Sequence, residues 1–151
     1  MGIQIRTPEL KDRAEWGQLW RQYLDFYQAI DIKEDHTHLL WQRIHTQNHP
    51  IQCRLAQDMD SKTLVGFVHF LPRVDTWRRD PVGYLEDLFV CPNHRGQGTA
   101  QRLIEHVVAH ARGLGWEQVY WQTQADNLPA RRLYDKLTGG TNGFINYAIK
   151  L

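Results

Sequence analysis

The sequence has few cysteines and almost no net charge: Cys53 and Cys91 are its two thiols, and the formal charge is +1. Two cysteines cannot build a disulfide framework, so we expect reduced thiols and a cytoplasmic protein. The balanced charge gives no electrostatic basis for binding nucleic acid or an anionic membrane surface. No apolar run approaches the roughly 20 residues of a membrane span, and a signal-peptide pattern is missing. The sequence therefore predicts neither a nucleic-acid partner nor a membrane partner.

Repeats, low-complexity segments and linkers are also missing from the sequence. Its 151 residues, of which 42% are apolar, suit a single domain spanning residues 1–151. Strand patterns first form a hairpin and then alternate with helical patterns. This order predicts an α/β (α+β) fold with a mixed sheet of about six strands and about four helices. The predicted strands are residues 3–6, 52–57, 64–71, 84–90, 119–123 and 144–151.

The stretch from Tyr84 to Val108 organises the chain as a strand, a glycine-rich loop and a long helix. Apolar residues from Leu103 onward recur at helical spacing, and the loop RGQGTA (residues 95–100) lies before them. The glycines expose backbone N–H groups at the start of the helix, where its dipole adds partial positive charge. Such a turn suits a phosphate or pyrophosphate. A glycine-rich turn without a ligand would show the same pattern.

Two common phosphate-binding motifs do not fit this loop. A P-loop requires a lysine directly after Gly98, where the chain has Thr99. A dinucleotide fingerprint that starts at Gly96 would need a glycine where the chain has Gln101. A nucleotide-binding domain is therefore disfavoured.

Two segments, residues 95–100 and 127–134, carry a family pattern. Arg95-x-x-Gly98-x-Ala100 matches an R/Q-x-x-G-x-G/A loop, and NLPARRLY matches N-x-x-A-x-x-x-Y. With the strands LEDLFV and VYWQT in the corresponding order, the chain resembles the GNAT superfamily of N-acetyltransferases. Within it, the chain most resembles the small polyamine and histone-type amine acetyltransferases. The match covers most of the chain and is best from Leu85 to Tyr134.

The chain departs from the family pattern at two places. Ala100 replaces the more usual glycine, which the pattern allows. Residues 138–142 (TGGTN) are inserted before Gly143 and Phe144, where many members pass directly from the helix to Gly-Phe. This insertion leaves the path of the last strand open.

The resemblance implies an enzyme that transfers the acetyl group of acetyl-CoA directly to a primary amine, of a polyamine-like molecule or of a protein lysine. It implies Glu86 as the base, acting through ordered water, and Tyr134 as the donor to the departing thiolate. Glu86 could instead only attract a cationic substrate, and Asn127 could only cap its helix. An acyl-CoA-binding module without catalysis would need neither Glu86 nor Tyr134. The implied contacts with acetyl-CoA are Leu88, Phe89, Val90, Arg95, Gly96, Gln97, Gly98, Thr99, Ala100, Gln101, Asn127, Ala130 and Arg131.

Acid–base chemistry makes both implied roles reasonable. A lysine-like amine has a pKa of about 10.4, so about one molecule in 2,500 is neutral at pH 7, a cost of about 4.6 kcal/mol. A proton acceptor such as Glu86 is therefore useful. A phenol has a pKa of about 10 and a thiol one of about 8.5, so full proton transfer from Tyr134 is uphill. A hydrogen bond that stabilises the developing sulfur charge is at least as reasonable as complete donation.

The acceptor pocket is predicted less specifically. Tyr27, Asp31, Glu34 and Trp77 lie in segments that border the acceptor cleft of the enzymes that the chain resembles, and acidic and aromatic groups suit a cation. Asp31 and Glu34 would equally suit a solvated turn, and Trp77 would equally suit an anchor of its loop. The resemblance also leaves room for a homodimer.

The eight histidines do not predict a metal site. His106 and His110 share one helical face, but HVVAH lacks the glutamate of H-E-x-x-H. No cysteine or carboxylate cluster completes a set of ligands, so we expect no metal.

Overall fold

The computed structural model describes residues 2–151. They divide into two compact units, one ending at Trp121 and one spanning Gln122–Leu151. The second unit contains α4 (Leu128–Thr138). No helix within residues 2–151 is long and apolar enough to cross a membrane. The first unit contains β1 (Ile3–Arg6), α1 (Arg13–Phe26), α2 (Glu34–Ile44), β2 (Gln52–Asp58), β3 (Leu64–Arg73), β4 (Val82–Val90), α3 (Thr99–Gly113) and β5 (Val119–Trp121).

One mixed sheet forms the centre of the first unit, with its five strands in the order β1-β2-β3-β4-β5. The strands β1 to β4 pair antiparallel in sequence, whereas β5 pairs parallel to β4. The α/β fold with a mixed sheet and four α-helices is thus confirmed. Five of the predicted strands are present, with small shifts at their ends.

The helices α1 and α3 cover opposite faces of the sheet. Phe67 of β3 belongs to the core cluster that contains the buried face of α1. The adjacent Gly66 lies against α3, since a Cβ on it would lie 3.5 Å from Leu103 Cδ1. Successive strand residues point to opposite faces, so the two helices lie on opposite sides. The buried face of α1 consists of Trp16, Leu19, Trp20 and Leu24.

The prediction of a last strand over residues 144–151 is wrong, so the sheet has five strands and not about six. The apolar side chains of Phe144, Ile145, Tyr147 and Ile149 are exposed. A strand needs a neighbour for its backbone N–H and C=O groups. No ladder within residues 2–151 includes this segment. An alternating apolar pattern therefore does not suffice to make a strand here.

A buried ion pair ties β1 to the turn before α1. Arg6 Nη1 and Nη2 donate to Asp12 Oδ2 and Oδ1 at 2.8 and 2.9 Å, and Glu9 N–H donates to Oδ2 at 2.7 Å. The hydrogen bond from Arg6, with that from Glu9, holds the pKa of the Asp12 carboxyl below its ordinary value.

We expect Asp12→Ala to lower the free energy of unfolding by about 3 kcal/mol at neutral pH, because Arg6 loses its partner. The contribution of Asp12 is present above the carboxyl's unfolded-state pKa and is lost as the pH falls through its lower folded-state pKa. The difference between variant and parent should therefore shrink in acid, as urea unfolding at several pH values can measure. The control Lys11→Ala breaks the exposed pair with Glu9 and should cost under about 1 kcal/mol. Equal losses for the two variants would contradict this account.

Candidate functional site

The central strand β4 carries a β-bulge at Glu86. The residues on either side, Leu85 and Asp87, pair with the adjacent residues Phe70 and His69 of β3, so Glu86 has no partner across the ladder. A bulge adds one residue to one strand, bends that strand and re-aims its side chains. Glu86 and Asp87 accordingly lie close enough for the charge of Asp87 to act on Glu86.

Beyond this bulge, no strand within residues 2–151 pairs with the edge of β4 that faces β5. β5 pairs with β4 only over Gly83–Leu85. At the other edge, Cys91 N–H donates to the Val65 carbonyl of β3 at 2.8 Å. Strand alternation therefore turns the backbone groups of Leu88 and Val90 away from β3. An extended ligand could pair with them as an added strand would.

Phe89 lies in the core between Leu88 and Val90, and Arg95 contacts both Phe89 and Val90. Phe89 pairs with Phe67 of β3, and its side chain is buried in the core. Arg95 Nε donates to the Val90 carbonyl at 2.9 Å, and its guanidinium lies 5.5 Å from the centre of the Phe89 ring. Arg95 thus fastens the glycine-rich loop to the end of β4. Its contact with a phosphate stays a prediction.

The glycine-rich loop has the open geometry that an anion site needs. Gly96 and Gly98 have φ angles of +74° and +81°, and a Cβ on either would meet nothing within 4 Å. The first hydrogen bond of α3 runs from Arg102 N–H to the Gly98 carbonyl at 3.0 Å. The N–H groups of residues 99–101 therefore lie in the first turn, which lacks intrahelical acceptors. With the helix dipole added, these groups fit a pyrophosphate.

Thr99 adds a second polar feature at this helix start. Its side chain is buried, and its hydroxyl has no hydrogen-bond partner within residues 2–151. Buried hydroxyl groups are normally hydrogen-bonded, and exceptions call for an explanation such as a ligand or a water molecule. The orphaned hydroxyl is consistent with a loop that binds a ligand.

We expect Gly98→Val to weaken binding of acetyl-CoA at least tenfold while the fold persists. A β-branched residue disfavours positive φ, and its side chain would fill the open side of the loop. The matched control is Gly115→Val at the other end of α3, where φ is +79° and the space is equally open. Both variants should lose about 1–2 kcal/mol of stability, and isothermal titration should show weaker binding for Gly98→Val alone. Unchanged affinity in the folded Gly98→Val protein would rule out the loop assignment.

Glu86 has the electrostatic surroundings of a proton acceptor. The side chain is exposed at the surface of the sheet. Loss of hydration, followed by the negative charge of Asp87, raises the pKa of its carboxyl. A carboxylate with a raised pKa holds a proton more readily than an ordinary surface glutamate, as general-base chemistry near neutral pH requires.

Four side chains beside Glu86 form a hydrogen-bonded chain that the sequence did not predict. Trp16 Nε1 lies 3.1 Å from His69 Nε2, and His69 Nδ1 lies 2.9 Å from Asp87 Oδ2. Tyr23 OH donates to Asp87 Oδ1 at 2.7 Å. The one signal in the sequence was the pair of adjacent acids inside an otherwise apolar strand.

In the second unit, the N-x-x-A-x-x-x-Y segment forms the start of α4. Asn127 is the N-cap, and its side chain accepts a hydrogen bond from Ala130 N–H at 3.5 Å. Arg131 Nη1 donates to the Ala125 carbonyl at 2.7 Å. Asn127, Ala130 and Tyr134 share one helical face by their spacing, and Tyr134 is half-buried. The roles of these residues toward acetyl-CoA stay predictions.

Of the four predicted acceptor-site residues, the structure brings one to Asp87. Tyr27 directly follows α1, and its ring lies 4.9 Å from that of Tyr23. Burial, followed by the charge of Asp87, raises the pKa of its phenol. Glu34 instead pairs with Arg13 at 2.6 Å. Asp31 is exposed in the loop between α1 and α2, and Trp77 is 83% exposed in the loop between β3 and β4. The roles of these residues toward the acceptor stay predictions.

No metal centre is evident in the described part of the chain. No group of three or more histidine, cysteine, aspartate or glutamate side chains within residues 2–151 could hold a metal ion.

The chain is similar to known acetyltransferases. The sequence profile of the acetyltransferase (GNAT) family matches residues 16–139. The D-amino-acid N-acetyltransferase HPA3 of Saccharomyces cerevisiae is 31% identical over 140 residues, which are 93% of this chain and 86% of that protein. The fold matches a crystal structure of a probable acetyltransferase with a TM-score of 0.84 at 24% identity, covering 100% of this chain and 98% of that one. It also matches AAC(6')-Iy in complex with a CoA-containing bisubstrate analogue, with a TM-score of 0.83 at 19% identity, covering 100% and 99% of the two chains.

Proposed function

Since the chain belongs to the acetyltransferase (GNAT) family and is an acetyl-CoA-dependent N-acetyltransferase, we propose that it acetylates a primary amine of a small polycationic molecule, such as a polyamine. The amine attacks the thioester directly, without an acetylated enzyme. The observation that carries the proposal is the pair of adjacent carboxylates at the β4 bulge, on the strand that leads into the glycine-rich loop.

The residues of the loop and of the β4 edge beyond the bulge fit acetyl-CoA. The N–H groups of residues 99–101 would hold the pyrophosphate, and the backbone of Leu88 and Val90 would hold the amides of the pantetheine arm. Acetyl-CoA, when bound, supplies an activated acetyl thioester. The protein's own residues then bind the amine, remove its proton and stabilise the leaving thiolate.

Glu86 would accept the proton of the attacking amine. Its raised pKa reduces the free-energy gap between the carboxylate and an ammonium group, and its exposure gives access to ordered water. Asp87 is less suited to this role, because both of its oxygens already accept hydrogen bonds. Tyr134 would donate a hydrogen bond to the sulfur as negative charge develops there.

The charges near Glu86 favour an acceptor with more than one positive charge. Asp87 supplies a second carboxylate, and the rings of Tyr23 and Tyr27 lie next to it. Aromatic faces and carboxylates attract ammonium groups. The same two carboxylates would repel the carboxylate of an amino acid.

A D-amino acid is the second candidate for the acceptor, because HPA3, which is named a D-amino-acid N-acetyltransferase, is 31% identical to this chain. A lysine in a basic peptide presents the same terminal amine as a polyamine and is the third candidate. We favour the polyamine because the two carboxylates at the bulge suit several positive charges and disfavour a carboxylate.

Thiol release from acetyl-CoA measures the preference directly. The values of kcat/KM should be compared for spermidine, a lysine-containing basic peptide, and several D-amino acids at one ionic strength. We expect spermidine to exceed the D-amino acids by at least tenfold. A higher kcat/KM for D-amino acids would assign the second candidate, and a higher value for the peptide would assign a protein substrate.

A further inference from the structure

The hydrogen-bonded chain beside Glu86 is almost completely buried at its inner end. The side chains of Trp16 and His69 are 0% and 2% exposed, whereas Asp87 at the outer end is 16% exposed. Trp20 and Phe67 pack against the His69 ring, with centroids 5.3 and 4.6 Å away. The imidazole is therefore fixed in place by rings as well as by hydrogen bonds.

The direction of each hydrogen bond follows from the chemistry of its partners. An indole N–H only donates, so Trp16 Nε1 must donate to His69 Nε2, which must carry a lone pair. The proton of the neutral imidazole is then on Nδ1, which donates to Asp87 Oδ2. Burial, followed by the charge of Asp87, raises the pKa of the Tyr23 phenol, so Tyr23 remains protonated and donates to Oδ1. Both donors thus converge on Asp87.

A carboxylate that accepts hydrogen bonds on both oxygens is stabilised in its ionised form. The bulge places this ionised group directly beside Glu86. The network thus ends at a carboxylate next to the proposed base.

We propose that Trp16, His69 and Tyr23 form a positioning network that holds the Asp87 carboxylate in place beside Glu86, and that Asp87 acts through Glu86 by making that side chain a better proton acceptor. This inference rests on the proposed role of Glu86. Asp87 itself is a positioning residue and takes no proton from the amine.

The other groups around Glu86 do not reverse this effect. His69 of β3 would oppose it only if protonated, and the donation from Trp16 excludes a proton on Nε2. Tyr23 of α1 and Tyr84 of β4 interact with the charge of Glu86, and Tyr27, directly after α1, interacts with that of Asp87. All three phenols have raised pKa values and are neutral near pH 7. Loss of hydration is the first cause of the raised pKa of Glu86, and Asp87 is the charged group that adds to it.

The test measures the titration of Glu86 by NMR on protein labelled with ¹³C at the glutamate carboxyl. In Asp87→Asn the midpoint of Glu86 should move to lower pH, because removal of a neighbouring negative charge favours the carboxylate. The acid limb of the kcat profile should move in the same direction. The matched control Asp25→Asn removes an exposed carboxylate from α1 and should leave both quantities unchanged.

A second measurement protects the test against a local rearrangement in Asp87→Asn. At neutral pH, the ¹⁵N shifts of His69 in the parent should show a protonated Nδ1 and a bare Nε2.

A further variant, Tyr23→Phe, removes one hydrogen-bond donor to Asp87 without removing the charge of Asp87. It should leave the Glu86 midpoint above that of Asp87→Asn. A Glu86 midpoint that is the same in the parent and in folded Asp87→Asn would overturn the proposal, and so would a protonated Nε2.

These readings separate this inference from the proposed function, because the NMR titration needs no turnover. A shifted Glu86 midpoint in a protein that acetylates no amine would support the network and refute the function. Turnover that depends on Glu86 together with an unshifted midpoint would do the reverse.

Discussion

Replacing Tyr134 by phenylalanine should lower kcat by about 10²–10³, or about 3–4 kcal/mol, by analogy with the loss of one oxyanion-hole donor. The change keeps the ring and its packing on α4 but removes the one group of this side chain that can donate to sulfur. Affinity for acetyl-CoA and thermal stability should barely change. Thiol release at saturating amine, with binding measured by titration, separates the two effects.

The control for this prediction is Tyr147→Phe in the same unit. Tyr147 is almost fully exposed, so its hydroxyl should be dispensable. Turnover of Tyr134→Phe within about threefold of the parent would reduce Tyr134 to a packing residue. That result would favour an acyl-CoA-binding module as the better description of this segment.

Glu86→Gln should lower kcat by about 10²-fold near neutral pH and by less above pH 9, because the neutral amine is then already more abundant. In the parent, the carboxylate of Glu86 is the active form, and its pKa is raised. Activity should therefore increase as the pH rises through that pKa. The variant should lose this acid limb. Its pH profile of kcat is the measurement.

Glu117→Gln is a suitable control, since Glu117 is an exposed carboxylate with an ordinary ion pair to Arg78. It should leave the profile unchanged. If Glu86→Gln raised KM at an unchanged kcat, Glu86 would be a charge that attracts the substrate and not a base.

The sequence predicted those parts of the site that lie within one short segment. The loop at residues 95–101 and the face of α4 from Asn127 to Tyr134 depend on local spacing, and the structure forms the loop with its glycines at positive φ and the helix with its Asn127 cap. Motifs of this kind are visible because each is built by neighbouring residues.

The network at Asp87 could not be predicted in this way. Trp16 and His69 are 53 residues apart, and His69 and Asp87 are 18 apart, so their contacts arise only when α1 packs on the sheet. The bulge at Glu86 depends on the register between two strands, which the sequence does not display. The wrong prediction of a strand over residues 144–151 arose from a local pattern. Apolar and polar residues alternate there, but no ladder within residues 2–151 includes the segment.

The most direct test of the central claim is one reaction followed by mass spectrometry, in which the protein is mixed with acetyl-CoA first without and then with spermidine. Direct transfer to the amine predicts an unmodified protein in the first stage. In the second stage it predicts N-acetylated spermidine in an amount equal to the thiol released. An acetylated protein that disappears when spermidine is added would contradict direct attack, and thiol release that does not depend on the amine would contradict the transfer itself.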